Sequence, residues 1–203
     1  MKVTIRRPLV RTRIQSIFRW SAYFFFVVGV VAVTSVGLIL LDARSFQIEA
    51  KNSFEDQARA VSQLKPGLPK LAVKTGDVLG RIDIPRIGLS VAIIQGANSR
   101  VLRLGVGHIE GTPFPGEGGN SGIAGHRDTF FRGLKDVHPN DDIQLLTMSG
   151  VAHYQVEWVK VVAPDDISVL APSVDSTLTL VTCYPFYLVG SAPKRFVVHA
   201  RKN

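Results

Sequence analysis

The chain holds one cysteine, Cys183, at the end of the run Ser176 to Phe186, which reads STLTLVTCYPF. Thr177 to Thr182 alternates polar and apolar residues and is rich in β-branched types, the pattern of a half-buried strand. Tyr184-Pro185 stops that strand, because proline has no N–H to give to a ladder. Cys183 is therefore expected at a strand exit, held firmly and facing a cleft. A lone cysteine is more often a small buried hydrophobe than a nucleophile. Two other residue types shift that balance. His126 directly follows the apolar, glycine-flanked run Gly122 to Gly125, and Arg195 opens the last strand after Pro193-Lys194. A thiol, an imidazole and a guanidinium make a nucleophile, a proton carrier and an anion holder. Their chemistry is acyl transfer: the thiolate attacks a carbonyl, the histidine returns a proton to the leaving amine, and the arginine holds the scissile carbonyl or its oxyanion.

The remaining histidines carry less. His108 lies in the stretch Gly107 to Thr112, where it lines the cleft or is a loop residue with its ring hydrogen-bonded locally. His138 precedes Pro139 in a surface loop, while His153 and His199 fall on strands as structural positions. Asp128 reads as a turn residue. His108-Ile109-Glu110 is an H-x-E, but with no C-x-x-C beside it in the sequence it makes no compact zinc set, so neither a metal nor a cofactor is expected. G-x-S-x-G, a phosphate-binding glycine loop and a dinucleotide fingerprint are all absent from the sequence.

These residues need a rigid scaffold. Strands are expected at Val78–Ile84, Ser90–Gln95, Ser121–Gly125, Asp142–Met148, Val151–Val162, Thr177–Cys183 and Arg195–Arg201, with a hairpin at Ser149-Gly150. Asn98 is placed to cap a short helical turn through Leu104, and Thr129–Lys135 suits another. Gly105 to Gly125 is rich in glycine and proline and reads as a shaped loop leading into the Ser121 strand. Many short strands and few helices make this an all-β barrel or sandwich.

The net charge of +8 belongs mainly to one end. Residues 1–19 hold 6 of the 24 basic side chains and no acid, leaving 18 basic against 16 acidic elsewhere. A nearly neutral body without a basic helix or interleaved aromatics argues against nucleic acid. Trp20 to Leu41 then runs for 22 residues without a charge. At helical rise that is about 33 Å, enough to cross the hydrocarbon core. The run is too long for a cleaved signal peptide and lacks a clean A-x-A site, so a retained anchor is expected. The basic flank places residues 1–19 in the cytoplasm and the rest outside the cell. In that compartment a single thiol cannot be an internal staple, so it is inert, bridged to another chain, or kept for its reactivity. Residues 42–76 are expected as a stalk, either a helix packing on the domain or lipid headgroups, or a solvated spacer, broken at Lys65 to Lys70. The folded domain is expected over 77–203.

Three segments together resemble the sortases, membrane-anchored cysteine transpeptidases of bacterial surfaces. Thr179-Leu180-Val181-Thr182-Cys183 is similar to the family's TLxTC signature. Gly119 to Arg127 resembles the segment around its catalytic histidine, and Lys194 to Val198 the segment around its catalytic arginine. The motifs occur in the family's order over Val78 to the end. The resemblance implies an eight-stranded sortase β-barrel with short helices, behind one N-terminal transmembrane helix. It implies cleavage of an LPxTG-like sorting signal between Thr and Gly, a thioacyl-enzyme on Cys183, and release by an amine such as a peptidoglycan precursor. Cys183 is then the nucleophile, His126 the general acid/base and Arg195 the substrate and oxyanion holder, in a thiol peptidase of the hydrolase class. Thr182, Ala124 and His108 complete the expected substrate-contacting set. Tyr184 to Phe186 and Gly190 to Pro193 look most like class D enzymes. Two alternatives use the same residues: a hydrolytic cysteine peptidase, and a non-catalytic anchored β-domain that binds surface peptides.

Overall fold

The computed structural model describes residues 9–62, 73–188 and 190–203. The first part of the basic tail, the Lys65 to Lys70 break and the neighbouring stalk residues lie outside the described residues. Eight strands close into a barrel in the order β1-β2-β3-β4-β7-β8-β6-β5. They are β1 (Val78–Ile84), β2 (Leu89–Gln95), β3 (Val106–His108), β4 (Asn120–Gly125), β5 (Asp142–Thr147), β6 (Gly150–Val162), β7 (Thr177–Tyr184) and β8 (Lys194–Lys202). β2·β3 and β4·β7 pair in parallel and the other neighbours antiparallel. The first strand of that order, β1, pairs with the last, β5, which closes the sheet on itself.

Period-2 alternation fills the interior. Ile82, Ile84, Val91, Ile93, Ile123, Ile143, Leu145, Tyr154, Leu178, Leu180, Val198 and Ala200 form one apolar cluster, nearly all of it shielded from water. Each fully buried Leu or Ile contributes about 1.5–3 kcal/mol, so the barrel wall is stiff where β4, β7 and β8 meet.

β3 is the one strand the sequence reading leaves unassigned, because it lies in the glycine-rich stretch read as loop. Gly107 sits there for a packing reason: a Cβ would come within 2.3 Å of Gly96 O. α2 (Ser99–Leu104) joins β2 to β3. Its first turn is capped as expected, Asn98 Oδ1 accepting from the amides of Arg100 and Val101 at 3.0 Å each.

α1 (Leu9–Ser62) covers the expected anchor and much of the stalk. Within it, Phe18–Ala50 is long and apolar enough to cross a bilayer, with a mean hydropathy of 2.7 over its most apolar window. Residues 1–42 form one compact unit and 43–203 another. Inside the second unit α1 is fastened to the barrel by Gln47. Its Oε1 accepts from Ala92 N at 2.9 Å and its Nε2 donates to Leu104 O. Ala92 precedes Ile93, where β2 begins to pair with β3, so the amide side chain serves β2 where a strand partner is missing.

Candidate functional site

β7 carries two faces. Leu178 and Leu180 point into the core, so Thr179, Val181 and Cys183 alternate onto the barrel's outer face. On β8, Phe196, Val198 and Ala200 face inward, which sets Arg195, Val197 and His199 outward. On β4, Ile123 faces inward and Gly122 and Ala124 outward.

Register then decides what meets. Cys183 is paired directly with Arg195 across the antiparallel β7·β8 ladder. Opposed residues in such a ladder have Cα atoms about 4.5–5.5 Å apart and side chains on the same face. On the other side, Ala124 pairs with Val181 and Gly125 with Thr182 in parallel register. The β4·β7 pairing ends at that step; His126 is the residue after Gly125, and Cys183 the residue after Thr182. Cys183 and Arg195 thus share the outer face at one end of β7 and β8, His126 follows the neighbouring end of β4, and all three residues are half-buried.

Local packing fixes each of them. Gly125 precedes His126, and a Cβ on it would lie 2.6 Å from the Phe131 ring, so the ring of the following 3-10 turn closes directly over its backbone. Phe131 N donates to His126 O at 3.1 Å, which holds the turn that carries the histidine. Thr182 Oγ1 donates to Gly125 O at 2.7 Å, tying β7 to β4 immediately before Cys183 and His126. Tyr184, Phe186 and Phe196 pack their rings together at centroid distances of 5.1–6.3 Å, supporting the β7 exit and the start of β8. Arg195 Nη1 donates to Ala192 O at 3.3 Å and Lys194 O at 3.0 Å, leaving Nε and Nη2 for a ligand. Among the described residues the His126 ring has no hydrogen bond and Arg195 no ion pair.

The outer face continues away from Cys183 as a floor of Ala124 and Val181, with Val197 beside them fully covered. Ala124 and Val181 are half-exposed, so Ala124 is open to a ligand beside the cysteine. Beyond them the β6–β7 connection is held down by a polar hub. Thr179 Oγ1 lies 2.7 Å from Asn120 Oδ1, 3.2 Å from Val169 O and 2.9 Å from His199 Nδ1. Asn120 Nδ2 donates to Val169 O and Ala171 O at 3.1 Å each. Gly122 leaves room for Leu170 of the same connection. Burial pushes the His199 imidazole down from its ordinary pKa, and Trp158 stacks on the ring at 4.6 Å.

Two residues expected to touch substrate are buried. Thr182 is 2% exposed and turned inward, its hydroxyl used on Gly125 O. His108 is also 2% exposed and lies on β3 opposite Ile123, three residues before His126 along β4. Gln95 Oε1, Pro113 O and Thr112 Oγ1 surround its ring nitrogens at 2.8–3.1 Å, and Phe114 stacks on it. Desolvation lowers its pKa. Of the two readings left open for His108, the locally bonded ring is what the geometry supports, on a strand instead of a loop. Arg127, the Asn120–Thr179–His199 hub and Gln47 carry roles that the sequence reading did not assign. Arg127's one signal was a charge directly after an apolar strand.

The Sortase domain family model matches residues 82–203. Sortase D of Bacillus subtilis (strain 168) is 35% identical over 153 residues, covering 75% of this chain and 73% of that protein. A solved Sortase D5 transpeptidase of Clostridium perfringens superposes with a TM-score of 0.64 at 29% identity, over 80% of this chain and 98% of that one. A sortase C of the same organism, solved with the C-terminal cell wall sorting motif, gives 0.61 at 31% identity over 78% and 88%. Family model, sequence relative and barrel agree: this chain belongs to the sortase family of cell-surface transpeptidases.

Proposed function

We propose that the chain cleaves an LPxTG-like sorting signal between Thr and Gly and passes the acyl fragment to an amine, with Cys183 as nucleophile, His126 as general acid/base and Arg195 as oxyanion holder. The observation that supports this reading is the pairing of Cys183 with Arg195 across β7·β8, with His126 one residue past the end of β4, whose last residue pairs with Thr182.

The thiolate of Cys183 attacks the Thr carbonyl carbon, and the oxygen takes the negative charge beside Arg195, whose Nε and Nη2 remain available. The C–N bond then breaks, and protonated His126 gives its proton to the departing glycine amine. A thioester is left on Cys183. The incoming amine attacks that thioester, His126 takes the amine's proton, and the thiolate departs as the new amide forms. Charge and protons return to their starting places, so the cycle needs no cofactor.

The extended sorting signal lies over the floor of Ala124 and Val181, between the reacting groups and the β6–β7 connection. Thr182 acts here as a strut for that floor. The Sortase D relative and the D5 structure favour a class D type of enzyme. Sortases are membrane-anchored, and we place α1 as a single pass with residues 1–19 cytoplasmic, 20–41 spanning, 42–76 as stalk and 77–203 outside.

The test incubates the full chain in detergent micelles with a labelled LPxTG peptide, with and without an added amine. Joined product that appears only with amine supports transpeptidation. Hydrolysis unaffected by amine would reject it in favour of a peptidase of the hydrolase class, and no cleavage of any LPxTG-like peptide would reject both.

A further inference from the structure

The loop joining β7 to β8 begins next to Cys183 and ends next to Arg195, so the two expected reacting groups stand at its two ends. Three of its carbonyl oxygens, at alternate positions, accept from guanidinium groups. Leu188 O and Gly190 O both accept from Nη2 of Arg127, at 2.6 and 2.8 Å. Ala192 O accepts from Nη1 of Arg195 at 3.3 Å. The loop is gripped from one side by the residue after His126 and from the other by Arg195.

Arg127 is only 9% exposed, and its second terminal nitrogen, Nη1, is buried without a hydrogen-bond partner. Among the described residues no carboxylate pairs with it. Desolvating a cation is costly, and a donor left unsatisfied in the interior adds to the cost. An apolar side chain of similar length would fill the space without either penalty, so stability alone does not account for an arginine here. What the arginine does supply is one rigidly held nitrogen, Nη2, whose two N–H donors reach two carbonyls of one loop.

We propose that Arg127 is a positioning residue: it pins the β7–β8 loop and, through the carbonyl of Ala192, sets where the Arg195 guanidinium sits relative to Cys183. This rests on the reading of Arg195 as the oxyanion holder. A small displacement of a charge-stabilising group lowers the rate of the chemical step far more than it lowers fold stability.

The experiment uses the full chain in detergent micelles as wild type, Arg127→Lys, Arg127→Met, Arg195→Lys and the Arg127→Met/Arg195→Lys double variant. Amide hydrogen exchange over residues 186–192 reads the loop directly. Single-turnover thioester formation with an LPxTG peptide reads the chemistry, and thermal melting reads the fold. Arg127→Met is expected to speed loop exchange and slow acylation about tenfold, with a melting point within about 3 °C of wild type. Arg127→Lys falls between the two. In the Arg195→Lys background, Arg127→Met costs less than about twofold, because the group it positions is already gone. Unchanged loop exchange, or losses that simply multiply in the double variant, would overturn the proposal. If Arg127→Met does not fold, Arg127→Lys carries the same comparisons. A wild type that never acylates overturns the proposed function instead, and loop exchange then decides the clamp alone.

Discussion

Two histidines, three residues apart in strand register, show what the barrel does with the same side chain in two settings. His108 faces inward, its ring enclosed by Gln95, Thr112, Pro113 and Phe114. His126 stands half-exposed past the end of β4 with no partner for its ring among the described residues. The inner ring has spent its hydrogen-bonding capacity on the fold, and the outer one keeps it for a ligand. Arginine repeats the contrast in exposure: Arg127 is buried, its Nη2 on two loop carbonyls, while Arg195 is half-exposed at the end of β7 and β8. On the proposed mechanism, chemistry falls to the groups that the fold holds within reach of solvent.

The sharpest way to break this contrast is at the thiol. Cys183→Ala is expected to remove acylation by about 10⁴-fold or more while leaving the melting curve unchanged, read by peptide cleavage and calorimetry. Arg195→Lys is next, with an expected loss of about 10²–10³-fold in the rate of thioester formation and normal folding. Near-full activity in that variant would take Arg195 out of the mechanism. The inner site should show the reverse balance. His108→Ala, leaving Gln95 and Pro113 without their partner, is expected to cost about 1–3 kcal/mol in denaturant unfolding, with turnover per folded molecule kept near wild type. A variant that folds well but turns over slowly would erase the distinction between the two regions.

Acid should also separate them. Burial lowers the pKa of His108 and of His199 below the unfolded-state value. The unfolded chain therefore binds more protons as pH falls below about 6.5, and stability must drop in that window. His108→Gln, which cannot titrate, should flatten part of the fall in melting temperature between pH 7 and about 5. A slope identical to wild type would assign the effect to His199 or elsewhere. The smallest expected effect is at the helix contact: Gln47→Leu should lose about 1–2 kcal/mol by unbonding Ala92 N and Leu104 O, with cleavage unaffected.

Strand period and turn residues made most of the barrel legible, since alternation in Thr177 to Thr182 and the Tyr184-Pro185 stop are local signals. β3 escaped because three residues in a glycine-rich stretch carry no period, and its pairing with β2 and β4 is set by tertiary packing. The candidate site was legible in residue type, because a lone thiol, an imidazole after an apolar run and a guanidinium at a strand start are unusual in company. The inward turn of Thr182 follows from the same alternation that sends Cys183 outward. Arg127 and Gln47 were opaque for another reason: both act on backbone carbonyls and amides of distant segments, which leave no mark in the sequence around them.

The central claim is that the sulfur of Cys183 carries the acyl group between two amines. Intact-mass and fragment-mass analysis of the full chain, acid-quenched during turnover of an LPxTG peptide, tests it most directly. The account predicts an added mass equal to the peptide fragment ending at Thr, located on Cys183 and released by hydroxylamine. An adduct on another residue, a fragment beginning at Gly, or turnover with no adduct under any quench time would contradict it.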